Sequence, residues 1–342
     1  MLGTVPNVHD CWGQSPICGS MGLSPICVSP WGLSPVSQPA RHLQPSRHMS
    51  SRCCLFLTAF GLATLAACGH SSESPGTGSP TPIPPAVTIW YTAIGASDAA
   101  GVGSSLPCIP FTDCPGGMGY VPRVARQLRT DGHTVTLTNM GIPGAVLSPA
   151  TQQLGNQYGL GIQANFLDEE GPFVPKDTTL VTIFAGGNDA NTIGTAIDRG
   201  AAAPADADAY IDRQVASFAS DLASLLAMVR GRANNPRIIV LNLPNFAGLP
   251  FMAGRTAQQK RWIERLSVGF STAGANRLAT QGVLVVDLLC DARSYQASNY
   301  SSDGFHPNDA GYAYLAGEVL KAVDAASWPP PATSCPEMQQ AP

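Results

Sequence analysis

From residue 87 onward, short apolar segments alternate with longer segments in which apolar residues recur every three or four positions. The short segments are rich in Val, Ile, Leu and Thr, which predicts strands, and the longer ones predict helices with one apolar face. The predicted strands are residues 87–94, 133–140, 179–186, 237–244 and 283–289. The predicted helices are residues 119–130, 206–230, 255–281 and 308–326.

The segment 206–230 has the most regular helical spacing. Its apolar stripe consists of Ile211, Val215, Phe218, Leu222, Leu225 and Leu226, and it predicts a face packed against a core. Apolar strands separated by helices predict an α/β fold with three layers. We expect a doubly wound, flavodoxin-like sheet of about five parallel strands with helices on both faces. In such a sheet, functional groups collect at the carboxyl ends of the strands.

The first 86 residues have a different character. Residues 1–48 contain a loose GQSP/GLSP repeat and neither Lys nor Glu, which indicates a low-complexity extension or translation from a start upstream of Met49. Residues 49–68 combine one Arg with a short apolar run, which predicts a secretory signal too short to span a bilayer comfortably. Residues 69–86 are mostly Gly, Ser, Thr and Pro, the composition of a tether.

The signal ends in the sequence LAAC, which resembles the lipobox of bacterial lipoproteins. The resemblance implies cleavage before Cys68 and lipidation of its thiol, and a plain signal peptide is the alternative. We therefore expect an exported cell-envelope lipoprotein, facing the periplasm or lying on the outer surface. Its globular domain would span residues 87–328, followed by a tail at residues 329–342.

Four cysteines follow Cys68, and an even number in an exported chain indicates disulfides. Of the three possible connectivities, we favour Cys108 with Cys114 and Cys290 with Cys335. The chain has neither a CxxC pair nor a histidine cluster, so we expect no metal and no cofactor. The formal net charge is −4 and no basic stripe is present, so nucleic acid is not an expected partner. We expect a monomer attached to the membrane only through its lipid.

Polar residues and glycines follow three of the predicted strands and precede the last helix. Ser97 comes after the first strand, and the second ends in NMGIPGAV, which contains Asn139, Gly141 and Gly144. The third ends in AGGND, which contains Asn188. The segment SSDGFHPNDAG lies after the fifth and contains Asp303 and His306. Because the strands are predicted to be parallel, these residues should converge at one edge of the sheet.

In their order along the chain, these four segments resemble the conserved blocks of the SGNH hydrolase superfamily, also called GDSL esterases and lipases. The resemblance covers roughly residues 87–326. It implies Ser97 as nucleophile, Asp303 and His306 as its partners, and an oxyanion hole formed by Ser97, Gly144 and Asn188. It also implies hydrolysis of carboxylic esters through an acyl-enzyme, on a small-molecule, lipid or glycan substrate.

The residue types suit this chemistry. A serine hydroxyl needs a base to remove its proton, and the unperturbed pKa of histidine lies near working pH. Of the three histidines after Met49, His70 lies in the predicted tether and His133 in the Asp-Gly-His turn that leads into the second strand, which leaves His306 to reach Ser97. Asp303 could fix the imidazole tautomer. Asp189, which follows Asn188, is interpreted as structural.

The first block departs from the family pattern, because Gly-Ala-Ser-Asp stands where Gly-Asp-Ser-Leu is typical. Asp98 could cap the following helix or contact substrate, and the sequence leaves both open. Two alternatives to a general esterase also stay open: an O-acetyl esterase acting on polysaccharide, and a non-catalytic binding lipoprotein. A nucleotide-binding domain is disfavoured because GxGxxG and a P-loop lysine are absent, and an α/β-hydrolase because GxSxG is absent.

Overall fold

The computed structural model describes residues 87–338. Its sheet has five strands: β1 Thr88–Gly95, β2 Thr134–Asn139, β3 Leu180–Phe184, β4 Arg237–Leu241 and β5 Leu284–Val286. The strand order is β2-β1-β3-β4-β5, and all neighbouring pairs are parallel. The predicted doubly wound sheet is therefore confirmed. The predicted extension, signal, lipidated Cys68 and tether lie outside the described residues, as do residues 339–342.

Eight α-helices connect and flank these strands in the described part of the chain. They are α1 Ser97–Ala100, α2 Tyr120–Thr130, α3 Pro149–Gln157, α4 Phe166–Glu169, α5 Gly187–Asp198, α6 Ala207–Arg232, α7 Ala257–Gly269 and α8 Asp309–Asp324. None of them combines the length and the apolar character that a bilayer crossing requires.

The helices form one layer on each face of the sheet. On one face, α2 and α8 bury apolar side chains such as Val124 and Val319 against β1, β4 and β5. On the other face, α5, α6 and α7 bury Ile193, Leu222 and Leu266 in a second and larger cluster. Strands covered on both sides need apolar residues at nearly every position, which explains why β3 and β4 read as continuous apolar runs.

One predicted helix is shorter than expected. The segment 255–281 was predicted as a single helix, but α7 ends at Gly269 and is followed by a π-helical turn and then by 3₁₀ turns. The Ser271 hydroxyl at this turn donates to the carbonyl of Leu243 and accepts from its N–H. Phe270 stacks on Phe218, with ring centroids 4.0 Å apart. These contacts with neighbouring elements favour the break over a continuous helix.

Four helices were not predicted: the one-turn helices α1 and α4, and the longer α3 and α5, of which α1 carries Ser97 and α5 carries Asn188. α3 has a largely polar sequence, and α5 contains two glycines and an Asn-Asp pair, so neither shows a clear apolar stripe. At the opposite, amino-terminal edge, His133 accepts a hydrogen bond from the N–H of Val87, which places this histidine away from the site as predicted.

Both favoured disulfides are present. Cys108 is bonded to Cys114 in the segment that follows α1, and Cys290 is bonded to Cys335. The second bond holds the C-terminal segment against the body of the domain. The Trp328 side chain donates to the Val285 carbonyl at 2.7 Å, which adds a further attachment for this segment.

Candidate active site

Ser97 begins the short helix α1, two residues after β1 ends. The residue is only 4 % exposed, because the surrounding segment is packed into the sheet edge. The Gly95 N–H donates to Glu170 at 2.9 Å, and the Asn139 side chain donates to the Ala99 carbonyl at 2.8 Å. These hydrogen bonds to residues distant in sequence hold both ends of residues 95–99, which we call the serine turn.

His306 lies in a loop that is closed on itself just before α8. Tyr300 pairs with Pro307, and the Ser301 N–H donates to the His306 carbonyl at 2.8 Å. One carboxylate oxygen of Asp303 accepts from the Ser301 hydroxyl and from the N–H groups of Phe305 and His306. The loop therefore has a defined shape through its own hydrogen bonds.

The fold brings the predicted serine, histidine and aspartate together. His306 Nε2 lies 2.9 Å from Ser97 Oγ, across 209 positions of sequence. His306 Nδ1 lies 2.6 Å from Asp303 Oδ2. The side chains thus form a continuous chain from hydroxyl to imidazole to carboxylate, the arrangement that a nucleophilic serine requires.

The electrostatics of these three hydrogen-bonded side chains favour an ionised Asp303 carboxylate and a more basic His306 imidazole. Burial lowers the pKa of His306, but the hydrogen bond to Asp303 and the negative charges of Asp98 and Asp303 outweigh it, and the pKa is raised. For Asp303, burial raises the pKa, but hydrogen bonds from His306 and from the backbone hold it well below its usual value. Each shift stabilises the charged form of its own group beside the other.

The residues of the predicted oxyanion hole lie on the loop after β2 and at the start of α5. Gly144 is exposed with a φ of +82°, and its N–H has no acceptor in the described part of the chain. Asn188 Nδ2 donates to the Ala145 carbonyl at 2.8 Å. An amide nitrogen carries two hydrogens, so one stays available to a ligand.

Asp189 holds the same two segments together from beneath. It is buried, and its carboxylate oxygens accept from the Leu147 N–H at 2.9 and 3.2 Å. Burial raises its pKa to about 7, although the hydrogen bond from Leu147 opposes the shift. These contacts agree with the structural interpretation of this residue.

Sequence reasoning missed Glu170, which is fully buried behind the serine turn. Its Oε2 accepts the Gly95 N–H, and its carboxylate also interacts with the N–H of Ile142 on the loop that carries Gly144. Burial raises its pKa well above the ordinary value. In the segment FLDEEGPF, nothing distinguishes this glutamate from its acidic neighbours, so the sequence offered no signal for it.

Asp98 does not cap α1. The N-cap position is Ala96, and no side chain makes a capping hydrogen bond there. The Asp98 side chain instead lines a cavity, and burial raises its pKa while the charge of His306 lowers it. Of the two roles that the sequence left open, the structure disfavours the cap.

The cavity that Asp98 lines lies at the carboxyl ends of four strands, and we call it the end-of-sheet cavity. It includes about 700 Å³ of space, part of it open to solvent. The neighbours of the reacting groups line it, namely Ala96, Phe305 and Pro307, and so does Asn188. Most of the remaining wall is apolar, including Phe184, Leu243, Phe246, Leu249, Leu288 and Leu315. Within residues 87–338, no group of three or more His, Cys, Asp or Glu side chains could hold a metal ion.

The chain is similar to several solved structures of ester hydrolases. Phospholipase A1 from Streptomyces albidoflavus NA297 is 19% identical with a TM-score of 0.47, over 69% of this chain and 99% of that one. An extracellular lipase from Streptomyces rimosus is 20% identical with a TM-score of 0.48, over 68% and 99%. A family 3 carbohydrate esterase from Clostridium thermocellum is 15% identical with a TM-score of 0.40, over 70% and 100%. At these scores, none of the three carries an argument about substrate.

The comparison of sequences is more decisive. No curated protein matches the chain. The model of the GDSL-like lipase/acylhydrolase family, however, matches residues 93–314, a range that includes Ser97, Gly144, Asn188, Asp303 and His306. The chain belongs to the GDSL-like lipase/acylhydrolase family and is a hydrolase of carboxylic esters.

Proposed function

We propose that Ser97 is the nucleophile of an ester hydrolase that works through an acyl-enzyme, with His306 as its base. The observation that carries the proposal is the 2.9 Å distance between Ser97 Oγ and His306 Nε2. The bond between His306 Nδ1 and Asp303 supports it, because it places the ring proton on Nδ1 and leaves Nε2 free to accept.

In the first half-reaction, Ser97 Oγ attacks the ester carbonyl while His306 Nε2 takes the hydroxyl proton. The resulting imidazolium is stabilised by the Asp303 carboxylate, which remains ionised. The tetrahedral intermediate then collapses, the bond from carbon to the alcohol oxygen breaks, and His306 returns the proton to the departing alcohol. The products are a free alcohol and an acyl group on Ser97.

The negative oxygen of the intermediate needs hydrogen-bond donors that are already in position. The Ser97 N–H lies in the first turn of α1, where a helix offers no internal acceptor. The Gly144 N–H and the second amide hydrogen of Asn188 are the other two candidate donors. The hydrogen bond from Asn188 to the Ala145 carbonyl connects the loop that carries Gly144 to α5. The Gly144 N–H and the Asn188 amide are therefore positioned together.

In the second half-reaction, a water molecule attacks the acyl carbon while His306 accepts one of its protons. The bond to Ser97 Oγ then breaks, the proton returns to the serine, and the carboxylic acid leaves. We place the acyl chain of the substrate in the end-of-sheet cavity, because its wall is largely apolar and Asn188 lies at its border.

Turnover of p-nitrophenyl acetate and butyrate by the wild type, Ser97→Ala and Ser224→Ala tests this mechanism. Ser224 lies exposed on α6 and serves as the matched control. We expect Ser97→Ala to lose turnover, and to lose labelling by a fluorophosphonate that reacts with activated serines, while Ser224→Ala keeps both. A wild type without turnover would favour the non-catalytic alternative. Turnover retained by Ser97→Ala would assign the nucleophile elsewhere.

We also propose that the protein is exported and acts as a monomer anchored by a lipid on Cys68. The LAAC sequence supports the anchor, and the two disulfides fit a compartment outside the cytosol. Detergent-phase partitioning of membranes from cells that express the wild type or Cys68→Ser tests it. We expect only the wild type to enter the detergent phase; equal partitioning would contradict the anchor. Light scattering of the soluble domain tests the monomer.

A further inference from the structure

The short helix α4 runs alongside the loop that follows β2, and backbone hydrogen bonds join the two. The Phe166 N–H donates to the Val146 carbonyl at 2.9 Å. Glu170 is the first residue beyond α4, and its N–H donates to the Phe166 carbonyl at 3.2 Å. The place of this glutamate is therefore fixed relative to the loop that carries Gly144.

The Glu170 side chain reaches the backbone of two segments that are distant from each other in sequence. Its Oε2 accepts from the Gly95 N–H at 2.9 Å, two residues before Ser97. The same carboxyl group interacts with the Ile142 N–H, two residues before Gly144. The Ile142 N–H also donates to the Gly95 carbonyl at 3.2 Å. Glu170 thus closes a network that joins the serine turn to the loop after β2.

This network lies directly behind two of the three candidate oxyanion donors. The Ala145 N–H donates to the Ile142 carbonyl at 3.0 Å, which closes a tight turn around Gly144. A displacement of Ile142 would therefore move the Gly144 N–H. A displacement of Gly95 would move the Ser97 N–H in the same way. The separation of these two donors depends on one shared carboxyl group.

The surroundings of Glu170 suit a group that works behind an oxyanion hole. The residue is fully buried, and it forms no ion pair within the part of the chain that the structure describes. Burial raises the pKa of its carboxyl group well above the ordinary value, which favours the neutral acid. A neutral acid does not oppose the negative charge that develops on the substrate oxygen, whereas a carboxylate would.

The two oxygens of the carboxyl group differ in their contacts. Oε2 accepts the Gly95 N–H, whereas Oε1 is buried without a hydrogen-bond partner among residues 87–338. In Glu170→Gln, the amide oxygen can take the place of Oε2 and the NH₂ group that of Oε1. This substitution keeps the hydrogen bonds to the backbone, and Glu170→Ala removes them.

We propose that Glu170 is a positioning residue for ester hydrolysis, and that it sets the separation of the Ser97 and Gly144 N–H donors by holding Gly95 and Ile142 together. This inference rests on the proposed function of Ser97, because the donors act on the oxyanion that forms after its attack. The donors act on the transition state, so the effect should fall on kcat rather than on KM.

Turnover of p-nitrophenyl butyrate by the wild type, Glu170→Ala and Glu170→Gln tests this role. We expect Glu170→Ala to lower kcat by about 10- to 100-fold with little change in KM, because small displacements of positioned groups have effects of this size. Glu170→Gln should recover most of the wild-type kcat.

Val323→Ala is the control for general destabilisation. Val323 is buried near the end of α8, in the apolar cluster on the opposite face of the sheet from α5, α6 and α7. We expect this variant to lower the melting temperature and to keep the wild-type kcat. A loss of kcat in Glu170→Ala at the same temperature would therefore not come from lower stability alone.

An alkyl trifluoromethyl ketone gives a second readout that depends on the oxyanion donors. Ser97 Oγ adds to its carbonyl carbon, the hydroxyl proton passes to His306, and the carbonyl oxygen becomes a stable oxyanion. The inhibition constant for Glu170→Ala should rise by about the factor by which kcat falls, and that for Glu170→Gln should stay close to the wild-type value.

The outcomes separate the positioning role from the proposed mechanism. Wild-type kcat in Glu170→Ala, a loss confined to KM, or equal losses in the Ala and Gln variants would overturn the positioning role while Ser97→Ala still loses turnover. Turnover by Ser97→Ala would instead overturn the mechanism. If Glu170→Ala does not fold, Glu170→Asp replaces it with the same expectation, because it withdraws the carboxyl group by one methylene.

Discussion

The two loops that meet at the candidate active site are held in opposite ways. The nucleophile loop, residues 95–103, is buried and takes its position from distant residues, including Glu170 and Asn139. The base loop, residues 299–308, is more open: the Asp303 side chain is 47% exposed and the His306 side chain 17%. Most of its hydrogen bonds connect residues within the loop itself.

The difference separates two means of positioning a reactive group. Packing within the core fixes Ser97, so its place depends on the whole sheet edge. A short network fixes the imidazole, so its place depends on a few polar atoms within the loop. The two loops touch at Gly103, where a Cβ would lie 2.7 Å from His306 Cβ and 2.7 Å from the Pro307 carbonyl.

The largest expected effect comes from removing the base. We expect His306→Ala to lower kcat/KM for p-nitrophenyl butyrate by about 10⁵- to 10⁶-fold, the range for loss of a member of a catalytic triad. Because the imidazole belongs to neither apolar core cluster, the melting temperature should change by only a few degrees. Loss of less than about tenfold would mean that another group activates Ser97.

Asp303→Asn changes the base loop without removing the imidazole. An asparagine amide can donate to Nδ1, which favours the tautomer whose proton lies on Nε2 and cannot accept from Ser97. We expect a loss of about 10³- to 10⁴-fold in kcat/KM, measured with the same ester. If the loop alone fixed the tautomer, activity would stay close to that of the wild type.

Gly103→Ala tests the contact between the two loops. Gly103 has a φ of +91°, and the added methyl would also meet the base loop. We expect the free energy of unfolding to fall by about 1–3 kcal/mol from overpacking, in addition to the strain of the left-handed backbone.

Gly132→Ala is the matched control for that substitution, because Gly132 has a φ of +95° but no neighbouring atom within 4 Å of the place that a Cβ would take. Its unfolding free energy should report the backbone strain alone. Equal destabilisation of the two variants, by urea denaturation, would show that the loops tolerate the extra methyl.

The smallest effect concerns Asp98, whose charge acts on His306 from the nucleophile loop. His306 must be neutral to accept a proton, and its pKa is raised, so we expect kcat/KM to fall as the pH drops through a value above the usual 6.5 of histidine. Asp98→Asn removes one charge that raises this pKa. Its acid limb should therefore lie at lower pH than that of the wild type, whereas Asp131→Asn should show no shift.

The strands and the residues at their ends were predictable because both depend on local patterns. Continuous apolar runs predict strands covered on two faces, and parallel strands place their carboxyl ends together. The break in the predicted helix 255–281 was not predictable, because it depends on contacts of Phe270 and Ser271 with distant segments. Glu170 gave no signal for the same reason: its role depends on what surrounds it in three dimensions.

The 209 positions between the hydroxyl and the imidazole have a consequence for the life of the protein. A ribosome that has made the first strand still has most of the domain to synthesise before the opposing ring exists. Nascent chains, and chains truncated before His306, would therefore lack the proposed base. Hydrolysis would then report that synthesis and folding have brought residue 306 to Ser97.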